Sequence, residues 1–281
     1  MPTTAAALLA DCSLEMTGKD VAELRAARSA ISAGTRVNVT YLAGEDLALR
    51  VAAAGAVREL GFVPVPHVSA RRLGSQAQLE EFLAGLQGVG AADEVVVVGG
   101  DPGTPEGPYE DALAVIESGL LPRHGVRRVA LPGYPEGHPG ITHAVLWEAL
   151  ERKRSALARQ GIAGTVITQF GFDADAVLTW VAALRARGVD LPVRVGVPGP
   201  AGVRRLLTYA SRFGVGTSAG IARKYGLSLT GLLGTAGPDR FLHALAAGLD
   251  PSRHGEVGVH FYTFGGLVAT AEWIAGFRAA G

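Results

Sequence analysis

Residues Glu94–Asp101 read EVVVVGGD, followed by the helical pattern YEDALAVIESGLL at 109–121 and by a second apolar run, RVALPG, at Arg128–Gly133. Four successive valines without polar alternation describe a strand covered on both faces, as in a parallel sheet. Two such runs joined by a helical stretch form a βαβ unit. Outward from this unit the alternation continues in both directions. Further runs at Ser13–Met16, Arg36–Leu42, Val63–Val68, Thr165–Phe170, Val193–Val197 and Val257–Thr263 bring the strands to eight. Between them, stretches such as EDLALRVAAAGAVREL and DADAVLTWVAALRARG carry apolar residues three and four apart, the stripe a helix turns toward a sheet. Gly61, Gly188 and Gly214 stand where these helices should stop.

Eight strand–helix repeats, closing on LVATAEWIAGFRAA, predict a (β/α)8 TIM barrel rather than an open doubly wound sheet. The 281 residues contain no low-complexity linker and are expected to form one domain over 1–281. AGVRRLLTYASRF is read as the seventh helix. The long segment after it, about 217–250 and including FLHALAAGLD, is read as a helical insertion before the last strand.

Composition narrows the partners. With 48% hydrophobic residues, and 26 Lys plus Arg against 26 Asp plus Glu, the chain should bury a large core and offers no basic stripe for nucleic acid. Cys12, the single cysteine, excludes an internal disulfide framework and leaves too few thiols for a structural zinc site. The first twenty residues lack a basic region ahead of an apolar core, and no run of about 18 apolar residues occurs. A cytoplasmic location without membrane contact is expected, with a small molecule as partner and homo-oligomerisation left open. GGDPG lacks the spacing of dinucleotide or P-loop fingerprints, and neither HExxH nor GxSxG is present. No metal site is expected.

In a barrel, chemistry gathers where strands end and βα loops begin. Glu15, Thr40, His67, Asp101, Tyr134 with His138, Gln169, and the run His260–Thr263 all fall at such ends. Any one of them has a structural explanation, such as a turn aspartate or a helix cap. Their convergence on one rim carries the signal.

These segments resemble the methylenetetrahydrofolate reductase family along nearly the whole chain. ITQFGFD at 167–173 is similar to the family's ITQxxFD segment. Gly100-Asp101, Tyr134-Pro-Glu-Gly-His138-Pro, Pro66-His67, Val39-Thr40-Tyr41 and His260-Phe-Tyr-Thr263 follow at successive strand ends. The resemblance implies an NADH- or NADPH-dependent oxidoreductase that reduces a folate substrate, 5,10-methylenetetrahydrofolate, through FAD. It implies Glu15 and Asp101 as catalytic groups, with Gln169 and Tyr209 on the folate. Thr40, His67, Gly100, Tyr109, Tyr134, His138 and Arg154 would contact cofactor. Gly99, Trp147 and Leu150 stand where relatives carry polar flavin partners, so direct hydride transfer from the nicotinamide is the alternative route. A folate-binding accessory barrel and a one-carbon enzyme of a demethylation pathway are the competing readings.

Overall fold

The computed structural model describes residues 4–42, 44–214 and 235–280. Eight parallel strands close into a barrel: β1 (Ser13–Met16), β2 (Arg36–Val39), β3 (Val63–Ser69), β4 (Glu94–Val98), β5 (Arg128–Gly133), β6 (Ala163–Phe170), β7 (Val193–Pro198) and β10 (Val257–Tyr262). Around the barrel the order is β1-β10-β7-β6-β5-β4-β3-β2. The remaining two strands, β8 (Ala201–Gly202) and β9 (Thr235–Ala236), form a short antiparallel pair apart from it. The helices are α1 (Ala5–Leu8), α2 (Val21–Ala27), α3 (Leu47–Glu59), α4 (Gln76–Gly88), α5 (Ala112–Glu117), α6 (Leu120–Arg123), α7 (His143–Arg159), α8 (Ala174–Ala186), α9 (Val203–Phe213), α10 (Asp239–Gly248), α11 (Pro251–His254) and α12 (Leu267–Ala280). The expected (β/α)8 barrel is therefore present. No described helix is long and apolar enough to cross a membrane.

Side chains alternate across each strand, so one set faces the helices and the other faces the barrel interior. In β7, Val193, Val195 and Val197 join the core shared with the helices, whereas Arg194 faces the barrel interior. Val65, Val96, Ala130 and Ile167, from four neighbouring strands, make a separate inner cluster that fills the middle of the barrel. Below it lies a charged floor. Glu94 accepts from Arg36 Nε at 2.8 Å and lies 3.4 Å from Arg128 Nη1. Arg194 pairs there with Asp11.

Helix starts follow the side-chain chemistry of their caps. Asp46, Ser75, Asp111 and Asp173 each accept a backbone N–H from the first turn of α3, α4, α5 and α8. Gly61 and Gly188 take the left-handed conformation just beyond α3 and α8, and Gly214 takes it at the end of α9.

AGVRRLLTYASRF forms helix α9, but not in the outer position expected of a seventh barrel helix. That position belongs to α10, which packs against α8 and α1. Instead α9 lies across loops at the C-terminal end of the barrel. Tyr209 stacks on Phe264 just past β10 at 4.1 Å, Phe213 meets Phe170 of β6 at 5.7 Å, and a Cβ at Gly214 would sit 3.0 Å from Pro139 in the loop after β5. Aromatic residues on the apolar face of α9 explain the displacement, because their partners are rings at the rim. Residues 217–234 of the expected insertion lie outside the described residues.

Candidate functional site

β1 places Ser13 and Glu15 two residues apart, so both point into the barrel. Register sets their neighbours: Ser13 lies level with His260 of β10, and Glu15 lies level with Asn38 of β2. Glu15 Oε2 is 3.5 Å from His260 Nε2 and 3.8 Å from His67 Nε2. Neither Nε2 has a hydrogen-bond partner, although both are buried. The opposite nitrogens are anchored by hydroxyls. Ser13 Oγ lies 2.9 Å from His260 Nδ1, and Thr40 Oγ1 lies 3.3 Å from His67 Nδ1. Each ring is thus oriented from behind and presents its other nitrogen to one carboxyl group.

Burial pushes the His67 imidazolium down to about 4, helped by His260 and Arg50 and opposed by Glu15. His67 is therefore neutral near neutral pH. Arg50 also holds the His67 carbonyl through Nη1 at 3.1 Å. Its guanidinium is buried between the rings of Tyr41 and Phe82, at 4.4 and 4.6 Å. That burial lowers its own pKa to about 10.

A bulge in β6 shapes the far wall. The register between β6 and β7 shifts between Ile167 and Phe170, and a Cβ at Gly196 would collide with the Thr168 carbonyl oxygen. Glycine is required there for close backbone approach. Thr168 Oγ1 repairs the ladder by accepting from the Gly196 N–H at 2.8 Å, and Tyr262 donates its hydroxyl to the Thr168 carbonyl at 3.1 Å. Burial raises the Tyr262 phenol well above its usual range, with Glu15 and Tyr134 adding to the shift. Thr263 ties the end of β10 to β1 by donating to the Glu15 carbonyl at 2.7 Å. The ring of Tyr262 stands edge-on to His260 at 5.0 Å and leads to Phe170 and Phe264 at 5.5 and 5.8 Å. One side of the mouth is polar and the other aromatic.

Among the sequence-expected residues, Glu15, His67 and Thr40 meet directly. Tyr134, just past the end of β5, has its phenol raised by burial, stands edge-on to His138 at 5.3 Å and adds to the shift of Tyr262. Gln169 sits in the bulge with Oε1 accepting the Phe170 N–H at 3.1 Å. Tyr209 reaches the aromatic wall from above through Phe264. The others diverge. Asp101 is exposed and held by Arg72, whose Nη2 and Nε lie 2.7 and 2.9 Å from Oδ1. Gly100 forms the positive-φ turn before it. Tyr109 is buried in the outer core, and His138 is exposed with Nδ1 accepting from Gly140 N–H. Arg154 is exposed on α7, while the adjacent Lys153 faces inward with its amine lowered by burial to about 8.

Ser13, Asn38 and Arg50 were not singled out as site residues by sequence, and Tyr262 entered only within the run His260–Thr263, although the polar residue every second position in SLE and HFY is a visible trace of the inner face. Among the described residues, no group of three or more His, Cys, Asp or Glu is arranged to hold a metal ion.

No family model matches the chain. Similar solved structures include dihydropteroate synthase from Burkholderia cenocepacia, with a TM-score of 0.49 and 16% identity over 95% of this chain and 90% of that one. Dihydropteroate synthase FolP from Thermus thermophilus gives 0.49 and 16% over 96% and 95%. The methylenetetrahydrofolate reductase assignment is corrected by these findings, which return synthases in place of reductases. With it go the oxidoreductase activity, FAD and the NADH or NADPH reductant. Short motifs at strand ends are shared readily among barrels, because the fold places polar residues there whatever the chemistry.

Proposed function

We propose that the chain is a single-domain acid–base enzyme, in which Glu15 exchanges a proton with a planar, ring-bearing small molecule held in the barrel mouth. The observation that carries this reading is the placement of Glu15 Oε2 3.5 and 3.8 Å from two buried imidazole nitrogens that have no hydrogen-bond partner. Structural histidines in a core satisfy both nitrogens where they can. Here Ser13 and Thr40 orient both rings and leave the reactive edge open beside the carboxyl. A proton moved at Glu15 Oε2 is then stabilised by a neighbouring Nε2 without rearrangement, as pre-oriented acid–base catalysis requires.

The aromatic wall of Tyr262 and Phe264 supports a flat ligand, and Gln169, Tyr134 and Thr40 supply hydrogen-bonding groups at its edge. A planar heterocycle with polar edges fits this lining, and the pteridine ring of a folate is the case to test first. Pteridine absorption reports ring protonation, so a titration of protein into a pteridine reads binding and proton transfer together. The bound ring should show a protonation state that follows Glu15, and Glu15→Gln should abolish that state while changing affinity by less than about tenfold. His67 and His260 ring signals should move on binding. An unchanged bound-state spectrum in Glu15→Gln, or ligand shifts confined to residues away from the mouth, overturns the proposal.

A further inference from the structure

Beneath the mouth the barrel holds a second polar surface, of which the acid–base reading uses Ser13 alone. A cavity of about 20 Å³ lies inside the barrel, with Ser13, Asn38 and Thr165 on its walls and Arg36, Arg128 and Arg194 on its floor. A water needs roughly 10–15 Å³ and two to four polar partners, so this space suits one molecule. Asn38 is buried, and its amide nitrogen Nδ2 has no protein partner. A buried donor left in that state costs about 1–3 kcal/mol, which a bound water would remove.

The polarity of the lining sets the direction of the hydrogen bonds. Amide and guanidinium nitrogens only donate. A water that accepts from Asn38 must therefore place its own two protons on acceptors, and the cavity offers Ser13 Oγ, Thr165 Oγ1 and the Glu94 carboxylate. A Ser13 hydroxyl that accepts from the water has one proton to give, and His260 Nδ1 lies 2.9 Å away. A neutral imidazole that accepts at Nδ1 carries its proton on Nε2. That nitrogen faces Glu15 Oε2 at 3.5 Å.

We propose that the barrel interior binds one water between Asn38 and Ser13, and that this water holds His260 in the Nε2–H tautomer, donating toward Glu15. Asn38 and Ser13 are thus positioning residues that act through His260. The consequence for catalysis rests on Glu15 being the reacting group, but the tautomer itself does not, and its test uses the ligand-free protein.

The experiment is a long-range 1H–15N correlation on 15N-histidine-labelled protein at neutral pH. Wild type should show His260 as Nε2–H in about tenfold excess, the preference one hydrogen bond supplies. Asn38→Leu and Ser13→Ala should each bring the two tautomers within about threefold of one another. Asn38→Asp, of the same size but offering an acceptor, should shift the ring toward Nδ1–H. A wild-type ring protonated on Nδ1, or on both nitrogens, overturns the proposal. So does a tautomer unmoved by both Asn38 variants. If those variants do not fold, a high-resolution crystal structure of wild type decides: a water within about 3.2 Å of both Asn38 Nδ2 and Ser13 Oγ is required, and its absence overturns the assignment. An Nε2–H ring in a protein whose Glu15→Gln variant leaves the bound pteridine spectrum unchanged would sink the proposed function alone.

Discussion

The two ends of the barrel interior use the same residue types to opposite ends. At the floor, one buried carboxylate, Glu94, is matched by Arg36 and Arg128, and Arg194 is matched by Asp11. At the mouth, one carboxyl, Glu15, faces two imidazole nitrogens at distances beyond a good hydrogen bond, and both nitrogens are otherwise unpartnered. Satisfied buried charge makes structure, whereas buried polar groups held apart by anchored neighbours are poised for a ligand. The number of charges does not tell the two ends apart. What separates them is whether each polar atom already has its partner.

The comparison breaks most visibly at the floor. Glu94→Ala leaves Arg36 with Asp11 alone and takes the anion from the partly exposed Arg128, and should cost about 2–3 kcal/mol in urea denaturation. Glu15→Gln should cost less than about 1 kcal/mol by the same measurement, since no close pair is lost. Equal losses at the two sites would mean that floor and mouth are built alike.

Acid sharpens it next. His67 titrates at about 4 in the folded chain, below the roughly 6.5 of an unfolded histidine, because burial disfavours its charged form. The unfolded state therefore binds the extra proton first as pH falls. The stabilisation is fully present above about pH 6.5 and is lost progressively toward pH 4, with roughly 2 kcal/mol gone between pH 7 and pH 5. Urea midpoints for wild type and His67→Gln should converge by about that amount over this interval. Parallel pH profiles would show that His67 is not held neutral by its surroundings.

Smaller effects test the walls. Tyr262→Phe removes the donor to the Thr168 carbonyl at the β6 bulge and should cost about 1 kcal/mol, read from the denaturation midpoint. Asp101→Ala breaks an exposed pair with Arg72 and should change stability by less than about 1 kcal/mol. Pteridine binding should also stay unchanged in that variant, because the Asp101 carboxylate is exposed and already held by Arg72.

Much of the barrel is legible in the order of residues. EVVVV reads as a strand buried on both sides, and its repetition with amphipathic stretches between leads to closure. Glu15, His67 and Thr40 are found because strand ends point polar groups at one rim. The surroundings of Asp101 and Arg154 are not legible in the same way: the turn at Gly100 brings the aspartate to Arg72, and one residue along α7 separates the exposed Arg154 from the buried Lys153. Helix α9 has the expected type in an unexpected place, since an amphipathic pattern records that an apolar face is covered and says nothing of which surface covers it. Rings at the rim receive α9, and α10 takes the outer position.

Residue order alone settled what alternates: the uniform apolar strands, the helical stripes between them, and the glycines that end helices. Each depends on neighbours a few positions apart along the chain. Only the tertiary structure decided that Ser13, 247 residues from His260, would orient it toward Glu15. The register of a closing sheet brings such residues together, and no local pattern encodes the distance between them.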